Sequence, residues 1–360
     1  MLAAAAGADS STMKDHELFV LSEEPFNAET AFERQRGMIT DSGRHYVRAH
    51  FSIPGAPASF SIDGAVREPT RISLDALRSF PQRSLAVTLE CAGNGRSFLE
   101  PAVPGEQWRL GAVGTAEWTG ASLREILARA APRDGAVEVL FRGADAGTPK
   151  DLGRPIAYER SLPIADALAD DVLVAHAMNG QPIPPAHGGP IRLVVPGWYG
   201  MASVKWLAAI TLVENAFRGF YQTDRYVIDG APLREIAPRA VIVSPTDGAT
   251  LVGPRVAVRG YAWSGHAPIE RVEVCAEPAT LIPQQKRSHW RDAKLSPAIS
   301  AYAWREFALE VAVFGAGPAE TELVARARDA AGNVQPLDPR WNALGYANNG
   351  ARVTRVRVVP

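Results

Sequence analysis

The strongest chemical signal in the chain is one cysteine delivered into a glycine-rich turn, Thr88-Leu-Glu-Cys-Ala-Gly-Asn-Gly-Arg-Ser-Phe-Leu-Glu100. Leu85-Ala-Val-Thr-Leu89 reads as a short buried strand, being apolar and partly β-branched. Gly93, Asn94 and Gly95 then require a turn, because these residues accept positive φ cheaply. A thiol at such a junction can point into a cleft rimmed by backbone N–H groups. Arg96 adds a fixed positive charge, and a cation plus amides favour thiolate over thiol. The expectation for Cys91 is therefore a soft metal ligand or a nucleophile. The competing reading is a small buried hydrophobe.

Three further stretches hold residues able to bind an anion. Tyr46-Val-Arg-Ala-His-Phe-Ser-Ile-Pro54 is an extended run closed by proline and carries Arg48 and His50. An arginine fork binds an oxyanion bidentately and keeps its charge. Ala186-His-Gly-Gly-Pro-Ile-Arg-Leu-Val-Val-Pro-Gly197 and Ser203-Val-Lys-Trp206 supply His187, Arg192 and Lys205. Glu106 to Gly114 carries Trp108, and Gly219-Phe-Tyr-Gln-Thr-Asp-Arg-Tyr226 offers two tyrosines. No glycine cluster fits Walker A or Rossmann spacing, so a nucleotide cofactor is not indicated.

The elements that must position these residues follow from pattern. Residues 1–41 are polar and weakly periodic and read as an N-terminal arm over the surface. Ser73 caps a short helix, and Ser122 heads an amphipathic one with Leu123, Ile126 and Leu127 on one face. Val137 to Phe141 reads as a strand, Arg142 to Pro155 as a loop, and Asp171 to Pro185 as a strand with an Asn-Gly turn containing His176 as a core histidine. Near Ala237 the texture changes to short alternating strands: Arg255 to Ala262, Ile269 to Cys275, Ala303 to Val313, Glu322 to Asp329 and Arg352 to Val359. This spacing predicts an antiparallel β-sandwich. Cys275 reads as a packed thiol there.

A chain of 360 residues is long for one core, and 46% hydrophobic with 21% charged residues reads as a globular protein. A net charge of −1 argues against general nucleic-acid binding. Two cysteines cannot make a disulfide framework, and no run reaches the ~18 apolar residues of a membrane span. Met1 to Gly7 lacks a basic n-region and a long apolar core, so periplasm and cytoplasm stay open.

Cys91-Ala-Gly-Asn-Gly-Arg96 resembles the molybdenum-binding signature of the sulfite oxidase family, in its bacterial haem-free form, and the similarity runs from about Glu24 to the C-terminus. The resemblance implies an α+β architecture: a molybdopterin-binding catalytic domain over 42–236, then an immunoglobulin-like antiparallel β-sandwich over 237–360 that forms a homodimer. It implies a molybdenum-molybdopterin cofactor whose metal is bound by Cys91, with His50, His187, Arg192 and Lys205 on the cofactor. Arg48 and Arg96 would hold substrate oxygens, Trp108 would wall the pocket, and Tyr226 would stand beside the metal, with Tyr221 as its competitor. The implied reaction is oxidation of sulfite to sulfate, with electrons passed to an external acceptor such as a c-type cytochrome or dioxygen. Related molybdenum enzymes that reduce S-oxides or N-oxides, and an inactive cofactor-binding homologue, are the alternatives. Two departures bear on substrate: Leu344 stands where some members place an anion-binding arginine, and Arg225 precedes the tyrosine where an aspartate is common.

Overall fold

The computed structural model describes residues 18–55, 57–279, 289–312 and 319–359. The opening Met1 to Gly7 and the end of the expected strand at Val313 lie outside the described residues.

The first half is built on two five-stranded sheets. One runs β10-β9-β6-β5, with β11 also pairing to β9. Its strands are β5 (Gln82–Glu90), β6 (Val113–Ser122), β9 (Leu173–Met178), β10 (Gln181–Pro182) and β11 (Arg192–Val194). The other runs β4-β3-β12-β7-β8, with β3 (Ser59–Gly64), β4 (Thr70–Ser73), β7 (Glu138–Gly147), β8 (Ile156–Pro163) and β12 (Leu207–Val213). β12 joins it by pairing parallel to β3 and antiparallel to β7. Asn179 and Gly180, both at positive φ, make the tight turn between β9 and β10. His176 on β9 is half-buried and bonds Gln82 Oε1 at 2.9 Å, so it is a partnered, partly exposed sheet residue and not a core one.

Helix is scarce, so this is mostly β structure with short helical caps. α1 (Leu74–Arg78) starts where the Ala76 N–H donates to Ser73 Oγ at 3.1 Å. α2 (Leu123–Arg129) buries Leu123, Ile126 and Leu127 as its spacing requires, although Ser122 makes no capping bond. α3 (Ile164–Ala167) is one turn. No described helix is long and apolar enough to cross a membrane.

Two expectations need correction. The strand ending at Phe141 continues to Gly147, so much of the expected loop is strand. β7 keeps its inward phase over Val139, Phe141, Gly143 and Asp145, and that phase carries a carboxylate into the interior. The N-terminal arm is also more than a surface layer. β1 (Leu18–Glu23) and β2 (Phe26–Thr30) form a hairpin, and Asn27 to Phe32 are buried. Alternating polar residues there hid the burial, because Asn27 and Glu29 go inside with hydrogen-bond partners.

The second half packs two sheets around a shared apolar cluster. One runs β15-β17-β21-β20, made of β15 (Arg239–Ser244), β17 (Arg255–Trp263), β20 (Lys294–Leu295) and β21 (Arg305–Ala312). The other runs β16-β23-β22-β18-β19, made of β16 (Thr250–Val252), β18 (Ile269–Pro278), β19 (Arg291–Asp292), β22 (Ala319–Asp329) and β23 (Val353–Val359). Val256, Val258 and Phe307 from one meet Val272, Val274, Leu323 and Val356 from the other. The pairing is not wholly antiparallel: the short edge strand β16 runs parallel to β23. Cys275 is buried on β18, and neither cysteine forms a disulfide.

The two halves share a core. Phe32 contacts Tyr261, Trp263 and Trp304 at centroid distances of 5.9, 6.0 and 5.7 Å. Residues 300–304 also cover the free edge of β5: Ser300 Oγ donates to the Ala86 carbonyl at 2.6 Å, and the Thr88 N–H donates to the Tyr302 carbonyl at 2.9 Å. At the end of β5, the Glu90 carboxylate receives Arg239 Nη1 at 2.7 Å, Asn94 Nδ2 at 2.8 Å and Trp263 Nε1 at 2.8 Å. Both members of the Glu90–Arg239 ion pair are 2% exposed.

Arg239→Met leaves the Glu90 charge buried without a counter-ion, and urea denaturation should show a loss of about 3–5 kcal/mol. Adding Glu90→Gln should recover most of it. A single variant with unchanged stability would contradict the clamp.

Candidate functional site

Cys91 sits at the first residue after β5, where the pleat of the strand ends and the turn begins. Its N–H donates to the Ala112 carbonyl and its carbonyl accepts from the Asn94 N–H, both at 2.9 Å. Gly95 adopts φ 83°, and a Cβ there would come 2.6 Å from Arg239 Nη2, so the turn requires glycine on two counts. The thiol is 7% exposed. Burial pushes it above the usual thiol range and outweighs Arg48, the Gly93 N–H and Arg96, which all favour the thiolate. The expected thiolate is thus a thiol until something at the site draws off the proton; metal ligation does so.

Two cavities meet at Cys91. A narrow slot of about 60 Å³ runs inward from Cys91 and Tyr46 to His45, Asp145, His187, Arg192, Ser203 and Lys205. An open basin of about 570 Å³ runs outward past Trp108 and Arg96 to Phe220, Arg225 and Leu344. Arg48, His50, Cys91 and Tyr226 line both. The expected site residues therefore converge on one continuous channel, those expected on the cofactor at its inner end and Arg96 and Trp108 at its outer end.

The inner slot is cationic, largely buried and only partly satisfied. Arg192 donates to the carbonyls of His187 at 2.7 Å and Ser203 at 3.0 Å. His187 Nε2 donates to the Ser42 carbonyl at 2.8 Å. Lys205 Nζ donates to the Ala186 carbonyl at 3.1 Å. Burial lowers Arg192 to about 10 and Lys205 to about 7, Arg192 adding to the second shift and Asp145 opposing it. Burial also drives His187 well below the histidine range, with His45 next in effect.

Two residues at this end were not singled out from sequence. His45 is 3% exposed, stacks on Tyr46 at 5.1 Å, meets His187 edge-on at 5.3 Å, and leaves Nε2 without a partner. Gly114 makes room for it, since a Cβ there would fall 2.6 Å from the imidazole. Burial brings its pKa down to about 4, with Arg192 adding to the shift. Asp145 is 4% exposed with Oδ1 unpartnered, and burial raises its pKa to about 6 against the pull of Lys205. The missed signals are local: His45 adjoins the Tyr46 run, and Asp145 lies in phase with Val139 and Phe141.

At the mouth, Tyr226 adopts φ 57°, and its hydroxyl lies 2.6 Å from His50 Nε2. Tyr226 stacks on Tyr346 at 5.0 Å, and His50 stacks on Tyr158 at 4.8 Å. Burial first, then Arg48, keeps His50 neutral. Tyr221, the competing tyrosine, lines the basin but not the slot. Arg48 is held by the carbonyl of Ala49 and by Asn27 Oδ1 at 3.2 Å, so the N-terminal hairpin aims it. Arg96 donates to the carbonyls of Glu106 at 2.9 Å and Leu344 at 3.1 Å, and Gly93 and Gly105 leave room for its guanidinium. It pins the turn to the C-terminal half as well as supplying charge. Trp108 is fully buried with its indole N–H unpartnered. Arg225 pairs with Asp151 at the rim.

The residues fit a phosphorylated, hydrogen-bonding cofactor that brings its own metal. Among the described residues, no three His, Cys, Asp or Glu side chains converge to hold a bare ion, so one thiolate must act with ligands carried by the cofactor. Unpartnered His45 Nε2 and Asp145 Oδ1 are a donor or acceptor site and an acceptor for it, and His187, Arg192 and Lys205 supply cationic and imidazole groups for a phosphate.

Comparison with known proteins agrees with this architecture. Residues 50–221 match the oxidoreductase molybdopterin binding domain, and residues 232–358 match the Mo-co oxidoreductase dimerisation domain. The chain is 34% identical to mitochondrial sulfite oxidase of Mus musculus over 95% of its length and 66% of the relative's. It is 36% identical to sulfite oxidase of Gallus gallus over 91% of its length and 75% of the relative's. The chain thus spans about two thirds of the length of the mammalian relatives. Among solved structures, the sulfane dehydrogenase SoxCD from Paracoccus pantotrophus superposes with a TM-score of 0.78 at 24% identity, covering 98% of this chain and 93% of that one.

His45 has a folded pKa near 4 against 6.5 unfolded, so unfolding takes up a proton between these values. Its contribution to stability is complete above pH 6.5 and is lost as pH falls toward 4. Asp145, raised to about 6, works in the opposite sense over its own range. Replacing His45 by Gln should flatten the acid side of the melting-temperature profile of the metal-free chain; an unchanged profile would exclude a neutral buried His45.

Proposed function

The chain belongs to the sulfite oxidase family, and from that premise we propose that it oxidises sulfite to sulfate at a molybdenum-molybdopterin centre held by Cys91, with electrons leaving to an external acceptor. The observation that carries this reading is the placement of Cys91 where a cationic slot meets an open basin, with Arg48, His50 and Tyr226 lining both. Two-electron oxidation with oxygen transfer is the chemistry that the bound cofactor supplies.

In this reading, the inner residues hold the cofactor. Arg192 and Lys205 neutralise its phosphate, Asp145 accepts from its ring N–H groups, and His45, His50 and His187 contact it as neutral imidazoles. Cys91 gives up its Sγ proton on ligating the metal, which removes the cost of a buried charge.

The outer residues receive the substrate. Arg48 orients the anion through its remaining N–H donors, and the Arg96 charge adds to the field while its guanidinium stays bonded to two carbonyls. Trp108 closes one wall and keeps bulk water from Cys91. Tyr226 positions a substrate oxygen: with His50 Nε2 donating to its Oη, the phenol proton is directed to the substrate. Arg225, paired with Asp151, adds no net charge at the rim.

The second half supports an immunoglobulin-like sandwich through its two facing sheets, and its match to a dimerisation domain supports a homodimer. A c-type cytochrome or dioxygen suits the external acceptor.

Cys91→Ser should reduce molybdenum from near-stoichiometric to background by elemental analysis and abolish sulfite-dependent ferricyanide reduction. Retention of both would reject the ligand assignment. Sedimentation of the metal-loaded protein should give twice the 38.6 kDa chain mass, and a monomer at working concentration would remove the dimer.

A further inference from the structure

One ring in the basin wall comes from the C-terminal half and bears directly on Tyr226. Tyr346 is 7% exposed, and it stacks on Tyr226 with ring centroids 5.0 Å apart and planes inclined at 26°. Aromatic pairs at this separation attract beyond the area they bury.

Tyr226 needs an external restraint. Its φ of 57° is one that bulky side chains avoid, and such a backbone persists only where the surroundings over-determine it. Its own segment is lightly anchored. Thr223, Asp224 and residues 229–232 on either side of it are exposed, and beside it only two-residue strands pair, Val227–Ile228 with Ala231–Pro232.

Tyr346, in contrast, is firmly placed. Asn342 takes both of its backbone groups, Oδ1 accepting from the Tyr346 N–H at 3.0 Å and Nδ2 donating to the Tyr346 carbonyl at 2.8 Å. The Arg96 guanidinium lies over its ring at 5.2 Å. Next in the chain, the Ala347 N–H donates to the Ala92 carbonyl at 2.8 Å, one residue from Cys91. A single loop thus touches both the cysteine turn and the tyrosine, and fixes one against the other.

Resting on the oxidase reading, we infer that Tyr346 is a positioning residue for sulfite oxidation, whose ring holds the Tyr226 hydroxyl against His50 Nε2 and at a set place relative to Cys91. It acts through Tyr226 and through its aromatic face, not its own hydroxyl. Arg48, held by Asn27 and the Ala49 carbonyl, keeps the anion without it.

The test compares Tyr346→Phe with Tyr346→Leu in the metal-loaded protein, with rates expressed per molybdenum. Tyr346→Leu should lower kcat for sulfite about 10- to 100-fold, the scale of a misplaced reacting group, while KM moves less than about threefold. Tyr346→Phe should keep kcat within about twofold. In a Tyr226→Phe background, Tyr346→Leu should cost nothing further; losses that multiply would show action through Arg96 or the cysteine turn and overturn the inference. A crystal structure supplies a readout free of turnover. In Tyr346→Leu the Tyr226 Oη to His50 Nε2 separation should lengthen from 2.6 Å to beyond the ~3.5 Å reach of a hydrogen bond, and in Tyr346→Phe it should not. Asn342→Ala frees the ring without removing its volume and carries the same predictions should the leucine variant not fold. Lost molybdenum with unchanged kcat per molybdenum, or an unmoved Tyr226, would overturn the inference. If the unaltered protein does not oxidise sulfite, the oxidase reading fails, and the Tyr226 to His50 separation decides by itself whether Tyr346 positions Tyr226.

Discussion

The turn that carries Cys91 is held by both halves of the molecule, and the C-terminal half supplies the bonds that close it from outside. Glu90 is clamped by Arg239 and Trp263, and the Ala92 carbonyl accepts from the Ala347 N–H at 2.8 Å. The Gly95 carbonyl accepts from Asn348 Nδ2 at 2.7 Å, and Arg96 donates to the Leu344 carbonyl. A short glycine-rich turn has high conformational entropy and fixes a ligand poorly by itself. Bonds from β15, β17 and residues 344–348 remove that freedom. The C-terminal half is therefore part of the positioning machinery of the site, whatever it does in assembly.

Electrostatics at the site follow from burial more than from net charge. The chain is nearly neutral, yet Arg48, Arg192 and Lys205 gather along one channel. Many of their donors are occupied by backbone carbonyls, which screen the cations without cancelling them. Histidines in the same space stay neutral, because desolvation and neighbouring cations both oppose the imidazolium. The result is a field directed toward an anion, in a medium that would not tolerate further uncompensated charge.

Division of the channel at Cys91 separates two tasks. The slot is narrow and polar, with unpartnered atoms that a fixed cofactor can satisfy. The basin is wide, aromatic and open, as exchange of substrate and product requires. Tyr226 and His50 belong to both spaces, and Tyr226 holds its place with a left-handed backbone.

Sequence alone determined the chemistry of the site more than its shape. The strand-to-turn cysteine, the arginine and histidine of the extended run, and the cationic loops were all legible, because each depends on local residue type and spacing. So were Leu123, Ile126 and Leu127 on α2 and the alternating strands beyond Ala237, where period alone selects the buried face. Tertiary structure decided the rest. The inward phase of Asp145 depended on β7 continuing through a stretch rich in Gly and Asp, and His45 became a slot residue only where Gly114 of another strand left space. The N-terminal hairpin was hidden because its buried positions are polar and satisfied from afar. Arg96 looked like a substrate ligand, and its carbonyl partners at Glu106 and Leu344 lie 10 and 248 residues away. The Cys91 thiol rises although its sequence neighbours predict the reverse, since burial is a property of the packed chain that no local motif encodes.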